Sequence, residues 1–276
     1  MMTDRQSSDT LAVCERAARA GGDVLRSWTG RFAVMQKSAR DFVTEADFAS
    51  QREIRRIVAE AFPDHGFVGE EADAGAGQPP AGAPGHAGEG LRWIVDPLDG
   101  TTNYVHGFPA YCVSVALADG DDVLVGAIYD PLRDECFTAR RGGGAFLDGT
   151  RLHTPRVTAL VDAVAAVSLP PRVTAASPAL ADFINVVPHV QTVRRTGSTA
   201  LNLAWLACGR LHAFWARQIA CWDMAAGLLI VREADGVVSP FGGRSDGAAT
   251  VRLDDPAFVA ASTPELLAAL RGALTC

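Results

Sequence analysis

Apolar residues recur along this chain with two periods. In 11–28, Leu11, Cys14, Ala18, Leu25 and Trp28 return at spacings of three, four and seven. That spacing predicts an amphipathic helix capped by Asp9 or Thr10, with Gly21-Gly22 either weakening it or admitting a close neighbour. Residues 32–37 predict one edge strand of a hairpin. Ile54, Val58 and Phe62 mark the buried stripe of a second helix, which starts near Phe48 after a cap at Thr44 or Asp47 and is closed by Pro63. Phe67-Val68-Gly69 predicts a brief strand ending in Glu70-Glu71, and Trp93-Ile94-Val95 a buried strand that breaks at Pro97. Runs at 111–118 and 123–128, joined by the polar turn 119–122, predict a hairpin. Short strands at 135–139, 145–147 and 151–153 extend it into an antiparallel or mixed sheet.

The pattern changes at 154–158. Beyond it, strands at 164–169, 190–195, 211–215, 237–238 and 259–260 alternate with helices at 179–187, 200–208, 223–234 and 264–274. We therefore expect an N-terminal α+β half, 1–153, and a C-terminal α/β half, 154–276. Residues 72–90 are rich in Gly, Ala and Pro without periodicity, which predicts a flexible surface loop and a candidate mobile lid.

Composition narrows the class. The chain has 276 residues and 48% hydrophobic content, enough for a substantial core, and a net charge of −7. An acidic chain is a poor non-specific nucleic-acid binder, so a nucleic-acid partner is not expected. Six scattered cysteines form no CxxC pair and predict free thiols in a reducing compartment. The polar N-terminus has no signal-peptide core, and no apolar run is long enough to span a membrane. A cytoplasmic protein is the expectation.

The chemistry concentrates at Asp96-Pro97-Leu98-Asp99-Gly100-Thr101-Thr102-Asn103. Two carboxylates at a strand end, followed by a glycine and two hydroxyls, suit a divalent cation bridged to an oxyanion, with phosphate the natural candidate. The same residues also suit an acidic turn that caps a helix. Asp223, after Trp222, admits the same two readings, N-cap or metal ligand. The Arg141-Gly142-Gly143-Gly144 turn is weak evidence for a phosphate site, because it lacks the Lys and Ser/Thr of a P-loop.

The 96–103 string, with Trp222-Asp223-Met224-Ala225-Ala226-Gly227 downstream, resembles the inositol monophosphatase family. Gly69-Glu70-Glu71, the 41–47 stretch, Lys37-Ser38 and Gly197-Ser198 fall where that family has further motifs. The resemblance implies a layered αβαβα sandwich of the sugar phosphatase fold. It also implies a homodimeric, lithium-sensitive phosphoric monoester hydrolase that uses two or three Mg²⁺ ions per site, with metal-activated water attacking phosphorus. Carried over by motif, Glu70, Asp96 and the Leu98 carbonyl hold one metal, and Asp96, Asp99 and Asp223 a second. Glu70 helps with a third ion. Asp47 and Thr101 activate the attacking water. Gly100, Thr101, Lys37, Gly197, Ser198 and Thr199 contact phosphate or substrate.

The family pattern breaks at Phe214-Trp215-Ala216-Arg217. Ala216 stands where many relatives place a glutamate that contacts inositol hydroxyls. Arg217 beside it suits a second phosphate or a carboxylate, or a solvent-facing or dimer contact. Inositol monophosphate or a similar polyol phosphate is the leading substrate class. Fructose 1,6-bisphosphate, 3′-phosphoadenosine 5′-phosphate, histidinol phosphate and NADP are alternatives. A non-enzymatic regulatory or RNA-associated role is the reading from another class.

Overall fold

A computed structural model describes residues 4–38, 41–71, 90–241, 251–255 and 257–274. The predicted loop at 72–90 therefore lies, but for Gly90, outside the described residues. The chain begins with α1 (Asp4–Trp28), the hairpin β1 (Val34–Ser38) and β2 (Asp41–Thr44), and α2 (Glu45–Ala61). The second helix starts three residues earlier than predicted. Thr44 is its cap, and the Asp47 carboxylate reaches back to accept from the Thr44 N–H at 2.8 Å.

Next come β3 (Gly66–Gly69), β4 (Leu91–Asp99), the short α3 (Thr101–Val105), β5 (Cys112–Asp119), β6 (Asp122–Asp130), β7 (Glu135–Arg140), β8 (Gly144–Leu147) and β9 (Thr150–Arg151). These seven strands pair in sequence order, with β3 parallel to β4 and every later pair antiparallel. The second sheet is built from β10 (Val164–Ser168), β11 (Thr192–Arg194), β12 (Ala213–Arg217), β13 (Val237–Pro240) and β14 (Ala257–Ala261), in the order β11-β10-β12-β14-β13. Its helices are α4 (Pro178–Val186), α5 (Thr199–Ala207), α6 (Cys221–Glu233) and α7 (Pro264–Ala273).

Burial sorts these elements into five layers. Helices α1 and α2 cover one face of the seven-stranded sheet, where Cys14, Leu25, Ile54 and Val58 meet Val113, Val115 and Leu117. The opposite face of the same strand presents Cys112, Ala116 and Ala118 to α5 and α6. Those two helices are buried almost all round, as expected for a layer between two sheets. Strand β12 divides in the same way. Phe214 and Ala216 face the middle helices, whereas Ala213 and Trp215 face α7. A side chain such as Phe214 or Leu203, fully withdrawn from water, contributes roughly 1.5–3 kcal/mol. At Gly126 on β6, a Cβ would sit 2.9 Å from the Ala226 backbone, so the absent side chain lets α6 lie close against the sheet. That approach fixes where the N-terminus of α6 points.

One strand departs from the expected form in a way that matters. The Asp-Pro-Leu-Asp segment does not end β4, which runs on through Pro97 to Asp99. Asp96 pairs with Ser114 and Asp99 with Cys112, so three steps on β4 match two on β5. This is a bulge, a place where a strand tolerates proline. In a regular strand, residues three apart face opposite sides. The extra residue cancels that alternation and turns both carboxylates to the face covered by α5 and α6.

Candidate active site

The bulge brings Asp96 and Asp99 to the N-termini of the two middle helices. There they meet Asp223 of α6, and one ligand oxygen from each carboxylate lies within 4.8 Å of the others. Each of the three is tied to donors. Asp96 Oδ1 accepts from the Leu98 N–H at 2.9 Å. Asp99 Oδ2 accepts from Ser198 Oγ at 2.7 Å and from the Ala200 N–H at 2.6 Å, the first turn of α5. Asp223 Oδ2 accepts from the Ala220 N–H at 3.1 Å. Asp223 is thus not an N-cap. It is the third residue of α6, reaching back to the residue that precedes the helix. Two helix N-termini, with their partial positive charge, converge on this acidic group.

That field does not neutralise the cluster. Burial first, then the charges of Glu70, Asp99 and Asp223, push Asp96 well above the ordinary carboxylate range. Burial also raises Asp99 to about 6, against the lowering effect of Ser198, Ala200 and Thr199. Burial followed by the charges of Asp99 and Glu70 raises Asp223 to about 8. Hard oxygen donors held this close repel one another unless a cation joins them. Oxygens on one octahedral Mg²⁺ lie roughly 3–4 Å apart, so the donor set and its spacing fit a divalent ion after a small closure. Glu70 directly follows β3, its N–H held by the Val95 carbonyl at 3.1 Å, and it lines the same cavity as Asp223.

Beside the cluster stands a second pair. Asp47, fully buried, accepts from Thr44 Oγ1 at 2.6 Å on one oxygen and from Thr101 Oγ1 at 3.2 Å on the other. Thr101 Oγ1 also lies 3.1 Å from the Leu98 carbonyl. With one proton and two acceptors in reach, that hydroxyl keeps lone pairs for a further donor such as water. Gly100 turns the chain into α3 at φ +99°, where a Cβ would lie 2.9 Å from the Ala110 carbonyl, so only glycine serves here.

The cavity holds about 540 Å³. Beyond Glu70 and Asp223 its walls include Ser168, Arg195, Gly197, Thr199, Gln218 and Trp222. Ser168 Oγ and Thr199 Oγ1 are hydrogen bonded at 2.8 Å.

Several expected substrate contacts lie elsewhere. Ser198 is buried behind Asp99, where it caps α5 and anchors the carboxylate instead of facing a substrate. Ala216 is fully buried among the middle helices and does not line the cavity. Arg217 pairs with the buried Asp182 of α4, Nε to Oδ2 at 2.6 Å, and stacks 3.6 Å from the centre of the Phe241 ring. It lines a separate, adjoining cavity of about 240 Å³. Its guanidinium is committed to a buried internal anion. Lys37 lies on β1, but its side chain is outside the described residues. The glycine turn at 142–144 grips the chain's own Glu233, whose carboxylate accepts from the Gly142 and Gly144 N–H groups at 2.7 Å each.

Other contributors carry no local signal. Gln51 clasps the backbone of the buried Glu71 through two hydrogen bonds of 2.7 and 3.0 Å. Ser50 Oγ donates to the Pro97 carbonyl at 3.0 Å and steadies the bulge. Among the described residues, no helix is long and apolar enough to cross a membrane.

Comparison with known proteins agrees with this architecture. Residues 6–275 match the inositol monophosphatase family. The chain is 42% identical over 204 residues to a Rhizobium meliloti protein named inositol-1-monophosphatase, covering 74% of this chain and 73% of the relative. It is 37% identical over 244 residues to a Xylella fastidiosa protein named Nus factor SuhB, covering 87% and 83%. The crystal structure of extragenic suppressor protein suhB from Bartonella henselae superimposes with a TM-score of 0.84 at 34% identity, covering 97% of this chain and 98% of that one. The expected layered fold is therefore met, and the chain belongs to the inositol monophosphatase family, a family of phosphomonoester hydrolases.

Proposed function

We propose that this protein is a Mg²⁺-dependent phosphomonoester hydrolase acting on inositol monophosphate or another small polyol phosphate. The observation that carries the reading is the bulge-built cluster of Asp96, Asp99 and Asp223, whose oxygens gather within 4.8 Å beside the Asp47–Thr101 pair. Asp96, Asp99, Asp223, Glu70 and the Leu98 carbonyl would hold two or three ions. When bound, Mg²⁺ supplies neutralisation of the charge that builds on the phosphoryl and leaving oxygens.

The chain's own residues do the positioning. Thr101 accepts a hydrogen bond from the attacking water and can pass its own proton toward Asp47 Oδ1, 3.2 Å away. Thr44 holds the other Asp47 oxygen, so the acceptor does not swing. In this reading the Gly100 and Thr101 amides receive the phosphate, as the family resemblance implies, and Gly197 and Thr199 stand on the cavity wall. Rate comes from fixed geometry and charge complementarity. The family resemblance extends the proposal to Li⁺ inhibition, a homodimer and a cytoplasmic location.

A panel assay tests the reading. Phosphate release with Mg²⁺ is measured from myo-inositol 1-phosphate, glycerol 2-phosphate, fructose 1,6-bisphosphate, 3′-phosphoadenosine 5′-phosphate, histidinol phosphate and NADP. Asp96→Asn serves as control, with an expected loss of about 10³-fold. Turnover of none of these esters would reject the hydrolase. It would favour the second reading, a transcription-associated scaffold, which the name Nus factor SuhB carried by a 37% identical relative supports. The net charge of −7 weighs against broad RNA binding.

A further inference from the structure

Arg195 is the feature of the cavity that the hydrolytic reading leaves unused. It follows β11, is exposed, and is the one cationic side chain among the described residues that line the cavity. Its surroundings are held in place. The next residue, Thr196, has its carbonyl bound by Asn103 Nδ2 at 2.8 Å and its hydroxyl on Asn202 Oδ1 at 2.8 Å. Arg194 is occupied locally by the Thr192 hydroxyl and the Val193 carbonyl. For Arg195, no carboxylate partner occurs among the described residues.

The charge layout of the wall follows. Two carboxylates, Glu70 and Asp223, mark the part of the wall where the reacting phosphate belongs. With cations bound there, the remaining wall carries, among the described residues, a guanidinium and no acid. Position 216 is a buried alanine, so it offers no carboxylate to bind alcohol hydroxyls or to offset that charge.

The space fits a larger substrate. A volume of about 540 Å³ lies in the range of pockets for ligands of drug size. The adjoining cavity shares Pro170 and Gln218 with it and carries the exposed Arg172. Gln218, the shared wall residue, holds a left-handed backbone at φ +59°, an uncommon conformation for a residue with a side chain.

We infer that Arg195 makes this cavity selective for phosphomonoesters that carry a second anionic group, a phosphate or a carboxylate, in addition to the reacting phosphate. The inference rests on the hydrolase reading above. A guanidinium presents a planar fork of donors to either group, and the pairing is stronger in a partly enclosed wall than on open surface. Arg195 is a specificity residue in this account and plays no part in bond breaking.

Matched substrate pairs test it. Fructose 1-phosphate is compared with fructose 1,6-bisphosphate, and sorbitol 6-phosphate with 6-phosphogluconate, in which a carboxylate replaces one hydroxymethyl group. The wild type is expected to favour the member with the second anionic group by about tenfold or more in kcat/KM, chiefly through KM, with the preference shrinking as salt rises. Arg195→Gln is expected to collapse the ratio toward one, and Arg195→Lys to retain part of it. Preference in the first pair alone assigns the group as phosphate, and preference in both assigns any anion. Equal kcat/KM within both pairs in the wild type, or an unchanged ratio in Arg195→Gln, overturns the inference and leaves the hydrolase intact. Absence of turnover across the earlier panel removes both.

Discussion

The acidic and basic parts of the cavity wall are built on opposite principles. In the acidic part, every carboxylate of the Asp96–Asp99–Asp223 cluster is tied to backbone or hydroxyl donors, and two helix N-termini stand behind it. The basic part of the wall is different: Arg195 is exposed, and Gln218, which lines the same cavity, holds an uncommon backbone conformation. Chemistry that needs ligands fixed to fractions of an ångström is bolted to a strand bulge and helix termini. Recognition that varies with substrate is left to side chains at loop positions. Arg217 sharpens the contrast. Only 22 positions from Arg195, it is tied to the buried Asp182 and serves the fold instead of the substrate.

The largest effect separating the two parts should come from Asp223→Asn. Loss of one cluster carboxylate is expected to lower kcat by about 10³-fold on every ester tested, which steady-state phosphate release would show. A loss confined to esters with a second anionic group would contradict the division.

Next comes Arg217→Ala. It leaves Asp182 buried without its guanidinium, which costs roughly 3 kcal/mol and lowers the melting temperature by several degrees. The kcat/KM ratio within the matched substrate pairs should not move. A changed ratio with an unchanged melting temperature would return Arg217 to the substrate site.

Ser198→Ala tests the anchoring of Asp99 from behind. It is expected to weaken Mg²⁺ binding by about 10–100-fold, with most turnover recovered at saturating Mg²⁺. A fall in substrate affinity without a change in metal dependence would reinstate Ser198 as a substrate contact.

The smallest effect concerns pH. Asp96, Asp99 and Asp223 all have carboxyls raised above their unfolded values, with Asp223 near 8 and Asp99 near 6. The folded metal-free protein therefore binds more protons than the unfolded chain between about pH 4 and 8, and its stability falls as pH rises through that window. Bound Mg²⁺ replaces those protons. The gain in melting temperature on adding Mg²⁺ should be larger by a few degrees at pH 8.5 than at pH 5, as read by calorimetry. An equal gain at both would remove the mutual repulsion from the account.

Most elements were legible because their signals are local. The helical stripes, the hairpins and the Asp96/Asp99 pair are short-range patterns, and the matched β-strands lie within a few residues of expectation. What escaped depends on partners distant in sequence. Pro97 signals a break, and only pairing with Ser114 and Cys112 turns that break into a bulge. Ser198 reaches Asp99 across 99 positions, Arg217 meets Asp182 across 35, and the glycine turn holds Glu233 across 91. In each case the residue type stands out in the sequence and its partner does not, because charge and hydroxyl contacts of this kind leave no periodicity. Asp223 was displaced for another reason. An acid can close a helix start from its third position as well as from its cap, and the residue type alone does not distinguish them.

The most direct test of the central claim is a Mg²⁺ titration of phosphate release from the preferred ester, starting from chelated protein, for the wild type and Asp96→Asn. The account predicts no turnover without the ion, saturable activation of the wild type as Mg²⁺ is restored, and a nearly flat response in the variant. Undiminished turnover by the chelated wild type, or equal activation of the variant, would contradict it.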